Sequence, residues 1–165
     1  MSSFLIANTL ALRNNYTDNR SLAVKTNRGN ATTGKLNQAD SLALRQAVRR
    51  LGNYDFKTAK KEDLEEKVRA FVDTYNYTME STKHSTDKTI SSANKSIMSL
   101  SKKYASELED IGIRIDDSGY MKMSSSATKN ISGSEFESLL GKDSEYMKQL
   151  NSYAKRITNH VDIRI

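Results

Sequence analysis

The chain has 165 residues, of which 36% are hydrophobic and 28% charged, and its 26 lysines and arginines outnumber its 20 acidic residues. The absence of cysteine excludes disulfides and thiolate metal sites, so helix packing or assembly must stabilise the fold. No apolar run approaches the roughly 18 residues of a membrane-spanning helix, and the apolar start is too short for a secretory signal; we therefore expect neither a membrane span nor a cleaved leader.

Residues 1–38 are rich in Asn, Thr, Arg and Gly, and the stretches 27–30 and 32–34 have the composition of turns. Weak helical spacing around Leu10 and Leu12 predicts a helix that is marginal unless a partner covers it. We predict a flexible or partly helical N-terminal segment over residues 1–38, followed by a helical domain over residues 39–165.

Two helices are predicted between residues 40 and 83. Asp40 or Ser41 is placed to cap the first, which stops at Gly52. The second is predicted over residues 61–83, because its apolar side chains recur at helical spacing and form one continuous stripe. This stripe consists of Leu64, Val68, Phe71, Val72, Tyr75 and Met79.

A third helix is predicted over residues 88–111, where a second apolar stripe approaches a heptad pattern with one slip. Two long helices with such stripes are expected to lie antiparallel and to cover one another's apolar faces. The alternative is one long helix bent near residue 85. The second stripe consists of Ile90, Ala93, Ile97, Leu100, Tyr104, Leu108 and Ile111.

The periodicity changes after Gly112, which is placed as the C-terminal cap of the preceding helix. Alternating residues on either side of the turn composition at 116–119 predict a small β-hairpin near 113–123. A short helical face then precedes Gly141, and a last helix with a third stripe is predicted over residues 144–161. The third stripe consists of Tyr146, Leu150, Tyr153, Ala154, Ile157 and Val161.

These elements predict a mainly α protein: an elongated antiparallel helical bundle, or a coiled-coil-like helical hairpin, with a small β-hairpin. The apolar fraction is low for three long stripes. We therefore expect part of the apolar surface to be covered by another chain.

The sequence lacks the motifs that carry common enzymatic chemistry, namely GxGxxG, the Walker loop, GxSxG and HExxH. His84 and His160 lie far apart and among polar neighbours, so neither a metal site nor a histidine base is predicted. Asp116 begins a calcium-like stretch, but Thr128 stands where an EF-hand requires Glu, which favours a hairpin turn. We predict that the protein is not an enzyme and needs no cofactor or metal.

Two stretches of the sequence carry distinctive motifs. The helix stretch 68–76 reads VRAFVDTYN, and the stretch 108–123 reads LEDIGIRIDDSGYMKM. Taken in order, they resemble the FVxxYN helix and then the IGI turn and DG hairpin in the C-terminal region of the bacterial flagellar filament-cap family (hook-associated protein 2). The stretch 136–141, FESLLG, takes the place of an apolar pair before the last helix, so that the order is kept over residues 61–160.

This resemblance implies a structural subunit of coiled-coil-like helices that is secreted through the flagellar export channel without a cleaved signal peptide. It implies an extracellular location on the bacterial flagellum, with the cytoplasm as the alternative. The implied partners are copies of the chain itself or flagellin-like axial subunits, with no small-molecule substrate.

The residues expected to carry packing and assembly lie on the first two stripes and on the hairpin. The predicted seam consists of Val68, Phe71, Val72 and Tyr75 with Ile97, Leu100 and Tyr104, and the predicted hairpin contacts are Ile113, Ile115, Tyr120 and Met121. The alternative function, given less weight, is a basic helical nucleic-acid-binding or regulatory module. It would use Arg45, Arg49, Arg50, Lys57, Lys60 and Lys61.

Overall fold

The computed structural model describes residues 9–124, 126 and 130–161. Its elements confirm the predicted mainly α fold with a small β-hairpin. In chain order they are α1 (Leu10–Asn15), a 3-10 helix (Thr17–Ala23), α2 (Lys25–Arg28), α3 (Thr33–Gly52), α4 (Lys61–Thr82), α5 (Lys88–Lys103), α6 (Ala105–Asp110), β1 (Ile113–Ile115), β2 (Met121–Met123), α7 (Gly133–Leu140) and α8 (Glu145–His160).

The four long helices α3, α4, α5 and α8 form an antiparallel bundle. In each pair of neighbouring helices, a residue in the first half of one helix is hydrogen-bonded to a residue in the second half of the other. Antiparallel packing requires this arrangement. The bonds join Asp40 O to Thr78 Oγ1 (3.1 Å), Ser41 Oγ to Thr158 Oγ1 (3.2 Å), Asn94 Nδ2 to Thr82 Oγ1 (2.8 Å) and Ser101 Oγ to Tyr146 Oη (3.0 Å).

The pairing of the helices differs from the direct seam predicted between α4 and α5. α4 packs most extensively against α3, α5 packs mainly against α8, and direct contact between α4 and α5 is limited. The β-hairpin lies between α4 and α5. Its strand β2 packs on α4, and Gly119, in the turn of the hairpin, lies against Met98 of α5. The first two stripes therefore meet in a core shared with α3 and α8.

Two helices have bounds that the periodicity did not predict. α3 begins at Thr33, because the Thr32 side chain accepts a hydrogen bond from Lys35 N (3.2 Å) and caps it. The predicted boundary between residues 38 and 39 therefore falls inside α3. The helix predicted over 88–111 is broken at Tyr104 (φ −97°, ψ 17°), which lies at the slip in the second stripe.

The β-hairpin pairs Ile113 with Met123 and Ile115 with Met121. The glycines at its entry and turn, Gly112 and Gly119, have φ of 80° and 85°, a backbone region open to glycine at little cost. Asp116 closes the turn by accepting hydrogen bonds from Gly119 N (2.9 Å, to its backbone O) and from Tyr120 N (3.0 Å, to Oδ1). The predicted turn and glycine cap are confirmed.

Residues 9–32 pack on the outside of the bundle against α3 and α4, where they form a second, smaller apolar cluster. The main core contains all three stripes. No helix in the described ranges combines the length with the apolar composition that crossing a membrane requires. The second cluster consists of Leu12, Tyr16, Leu22, Ala23, Ala39, Ala43 and Ala70.

Candidate functional site

The residues predicted for packing and assembly all belong to the main core or pack against it. Buried are Val68, Phe71, Val72, Tyr75, Ile97, Leu100, Ile113 and Met121, and partly buried are Tyr104, Ile115 and Tyr120. The stripes are thus covered within one chain. Among the described residues, the large apolar side chain left mostly exposed is Leu10, at 68%.

The junction between α4 and the β-hairpin is held by three buried hydrogen bonds. Tyr75 Oη donates to Gly119 O (3.0 Å), Asn76 Nδ2 donates to Met121 O (2.9 Å), and Asn76 Oδ1 accepts from Met121 N (2.8 Å). The Asn76 amide therefore satisfies both backbone polar groups of one residue in a short strand. We call Tyr75, Asn76, Gly119 and Met121 the helix–hairpin junction.

The junction explains why tyrosine and asparagine end the stretch 68–76. Burial raises the pKa of Tyr75 well above its usual value, so the phenol stays protonated and can donate to Gly119 O. Asn76 is 6% exposed and has both its amide oxygen and its amide nitrogen in use. Sequence periodicity missed Asn76, because an apolar stripe does not include a polar residue.

A second buried contact joins α5 to α8. Tyr146 is fully buried, its ring lies 5.2 Å from that of Tyr104, and its hydroxyl is hydrogen-bonded to Ser101. Burial raises its pKa well above the usual value, which keeps the phenol neutral inside the core. Tyr104 therefore contributes to the α5–α8 contact at the point where α5 ends.

A buried ion pair attaches the N-terminal segment to the bundle. Arg28 donates two hydrogen bonds to the Asp40 carboxylate (2.8 and 2.6 Å) and one to Leu22 O (2.9 Å), while Tyr16 Oη donates to Asp40 Oδ1 (2.7 Å). The Arg28 guanidinium also stacks 3.9 Å from the centre of the Tyr77 ring. Asp40, predicted as a helix cap, is instead the centre of this network.

A groove of about 510 Å³ lies between α2, α4 and the hairpin, with Asp73 and Tyr77 in its lining. Burial raises the pKa of Asp73 to about 7, although the charge of Arg69 lowers it. The Tyr77 hydroxyl is buried and has no hydrogen-bond partner in the structure. Asp73 is thus a half-buried carboxyl in this groove, and its pKa is shifted to near neutrality.

The six basic residues of the alternative function line different surfaces. Arg45 and Arg49 line a groove between α3 and α8 together with Lys142 and Lys148, two residues that the sequence did not associate with them. Arg50 donates a hydrogen bond to Asn14 O in α1 (3.2 Å). The remaining three, Lys57, Lys60 and Lys61, are exposed in and just after the loop that leads to α4.

The residues considered for metal or catalytic chemistry stand apart. His84 and His160 are both exposed, and Asp116 is engaged in the hairpin turn. Across residues 9–124, 126 and 130–161, no three His, Asp or Glu side chains are grouped so as to hold a metal ion.

The fold and the junction define a mainly helical protein whose principal polar contacts hold helices, hairpin and N-terminal segment together. Comparisons with protein-family models, with curated proteins and with solved structures find no match for this chain.

Proposed function

We propose that the chain is a non-enzymatic structural and assembly protein of a flagellar or flagellum-like filament. It acts by helix packing and by association with copies of itself or with flagellin-like subunits, outside the cell and after export without a cleaved signal. The observation that supports this proposal is the helix–hairpin junction, which links the two stretches that resemble the filament-cap family.

The junction gives those two stretches a physical reason to occur together. Tyr75 and Asn76, at the end of the helix stretch, bind Gly119 and Met121, in the hairpin stretch, through three hydrogen bonds. Each bond is buried, so the loss of one partner would leave the other as a buried polar group with no hydrogen-bond partner and no access to water. A similarity that includes both partners of one packing unit is stronger than two unrelated short matches.

The proposal changes which surface is expected to contact another subunit. The apolar stripes already pack within the chain, so they serve as the subunit core and leave little apolar area for a partner. Association is therefore expected to use the surface around Leu10, which heads α1 with 68% of its surface exposed.

Light scattering coupled to size-exclusion chromatography tests the proposal. The molar mass is measured across a range of protein concentrations, with and without flagellin-like subunits. We expect the mass to rise with concentration or on addition of the subunits, and Leu10→Asp to weaken this rise because it places a charge at the exposed apolar position.

Ser99→Asp is the matched control, because it adds the same charge at an exposed position on α5. It should leave association unchanged. A chain that stays monomeric at every concentration and ignores the added subunits would count against the proposed assembly role.

A further inference from the structure

The groove between α3 and α8 concentrates positive charge. It has a volume of about 370 Å³, and its charged lining residues are Arg45 and Arg49 from α3, Lys142 from the loop before α8, and Lys148 from α8. None of the described residues that line it carries a carboxylate. Four cationic side chains thus face one small concave surface, which we call the α3–α8 groove.

Among the described residues, these four side chains have no acidic partners. In the described residues, none of them forms an ion pair, whereas five other cations do. The nearest acids along the chain, Asp143 and Glu145, are exposed and do not line the groove. Among the described residues, no ion pair therefore offsets the mutual repulsion of the four cations.

Arg45 also has a buried donor without an acceptor. Its Nε is shielded from solvent and makes no hydrogen bond among the described residues, which is costly for an N–H on a charged group. An anion in the groove would reach this atom only after the Arg45 side chain moved, so the four converging cations, rather than this donor, favour an anionic ligand.

The neighbouring side chains favour a ligand rich in oxygen atoms. Arg49 Nη2 donates to Gln46 Oε1 (2.5 Å), which restrains the guanidinium, and the amides of Asn53 and Asn151 also line the groove. Arginine forks and amide N–H groups match the several acceptor oxygens of phosphate, whereas a single carboxylate could engage fewer of these donors.

The dipole of α3 accounts for one of the four cations. Arg49 lies in the last turn of α3, where a cation interacts favourably with the negative end of the helix dipole. Arg45 lies one turn earlier, and Lys142 and Lys148 are not part of α3. The convergence of the other three cations therefore needs a different cause.

We propose that the α3–α8 groove binds a phosphate group, either as a free oligophosphate or as part of a small phosphorylated molecule. The ligand would neutralise the four cations. The groove is built on two long bundle helices, so binding should also increase the thermal stability of the folded chain. This inference is independent of the proposed assembly function.

Calorimetric titration of the full chain with sodium pyrophosphate tests the proposal, at constant ionic strength set with sodium chloride. We expect one site per chain, and Lys148→Gln should weaken the affinity by about tenfold because it removes one charge-assisted contact. Lys148 is exposed, so its substitution should not disturb the fold. Arg49→Gln should have a comparable effect.

Lys95→Gln is the matched control, since Lys95 is an exposed lysine on α5 and lines a different groove. It should change the affinity by less than about twofold. Without ligand, Lys148→Gln should be as stable as the parent chain or more stable, since it relieves repulsion. A loss of unliganded stability with unchanged affinity would mean that Lys148 is structural, and would overturn the proposal.

A parallel titration with a nucleoside monophosphate distinguishes the two sources of the phosphate group. Tighter binding of pyrophosphate indicates a free oligophosphate, and tighter binding of the nucleotide indicates a phosphorylated small molecule. Absence of binding by both up to millimolar concentration would refute the site. Binding of a single-stranded oligonucleotide that pyrophosphate does not displace would instead favour an extended nucleic-acid surface, and would equally overturn the proposal.

Discussion

Asp40 has no solvent exposure, and its carboxylate forms an ion pair with Arg28 and accepts a hydrogen bond from Tyr16, two residues from the segment before α3. Burial lowers the pKa of Arg28, but the hydrogen bonds and charge of Asp40 outweigh this effect and raise it. The Arg28 guanidinium therefore stays charged. The ion pair holds the N-terminal segment on the bundle, and removing one of the two residues would leave the other buried without its ionic partner.

Replacing Arg28 by Met should destabilise the protein by about 3–5 kcal/mol, because the Asp40 charge would remain buried without a partner. The measurement is the free energy of unfolding from urea denaturation. Lys67→Met is the control: its pair with Asp63 is exposed to solvent and should contribute less than about 1 kcal/mol. Equal losses in the two variants would contradict the importance of the buried pair.

Asp73 is expected to make stability depend on pH. Its pKa is raised from 3.8 to about 7 by burial, so between these values the folded state holds a proton that the unfolded state has released. This contribution is fully present below about pH 4 and is lost as the pH rises to about 7. Asp73→Asn should therefore stabilise the protein at pH 8 by about 1–3 kcal/mol and have little effect at pH 4.

The measurement is urea denaturation of both chains at the two pH values. Glu137→Gln, on the exposed face of α7, is the control for removing a carboxylate and should show no comparable difference between pH 4 and pH 8. An equal effect of Asp73→Asn at both pH values would show that the carboxyl titrates normally.

At the scale of elements, the hairpin depends on α4. A two-stranded sheet is marginal by itself, and here one face packs on the core through Ile113 and Met121 while Asn76 satisfies the backbone of Met121. The helix and the hairpin are therefore expected to unfold together. The hairpin turn also packs closely on α5, because a β-carbon at Gly119 would lie 2.7 Å from Met98 Cγ.

Asn76→Ala should cost about 2–4 kcal/mol, because it leaves the N–H and C=O of Met121 buried and unpaired. Tyr75→Phe leaves one carbonyl, Gly119 O, unpaired and should cost about 1–2 kcal/mol. Urea denaturation gives both values, and hydrogen exchange of the hairpin amides should accelerate in both variants. Asn159→Ala, at an exposed position of α8, should change stability by less than about 0.5 kcal/mol.

Hydrophobic periodicity predicted the existence of the long helices and the hairpin well. The helix predicted over 61–83 is observed at 61–82, and the last helix, predicted over 144–161, at 145–160. The periodicity failed at the start of α3, where the Thr32 cap decides the bound, and it ran through the break at Tyr104. A cap needs one hydrogen bond rather than a repeated pattern, so periodicity does not detect it.

At the scale of the whole molecule, one core joins all four bundle helices and the hairpin. Phe71 is fully buried in it, and Phe71→Ala should cost about 3–5 kcal/mol through lost burial and the cavity left behind. The expected signature is a single unfolding transition, shifted equally when it is followed by helical circular dichroism and by tyrosine fluorescence. A loss below about 1 kcal/mol would contradict the burial of this ring.

The sequence by itself determined the elements, because helical and strand periodicities are local and are imposed by the geometry of the backbone. It also identified apolar residues that are buried in the core, since each lies on a stripe whose burial the core requires. Only the tertiary structure decided which helices are neighbours and which polar residues meet. Asp40 with Arg28, Asn76 with Met121, and the four cations of the α3–α8 groove come together through contacts between distant parts of the chain, which no local pattern encodes.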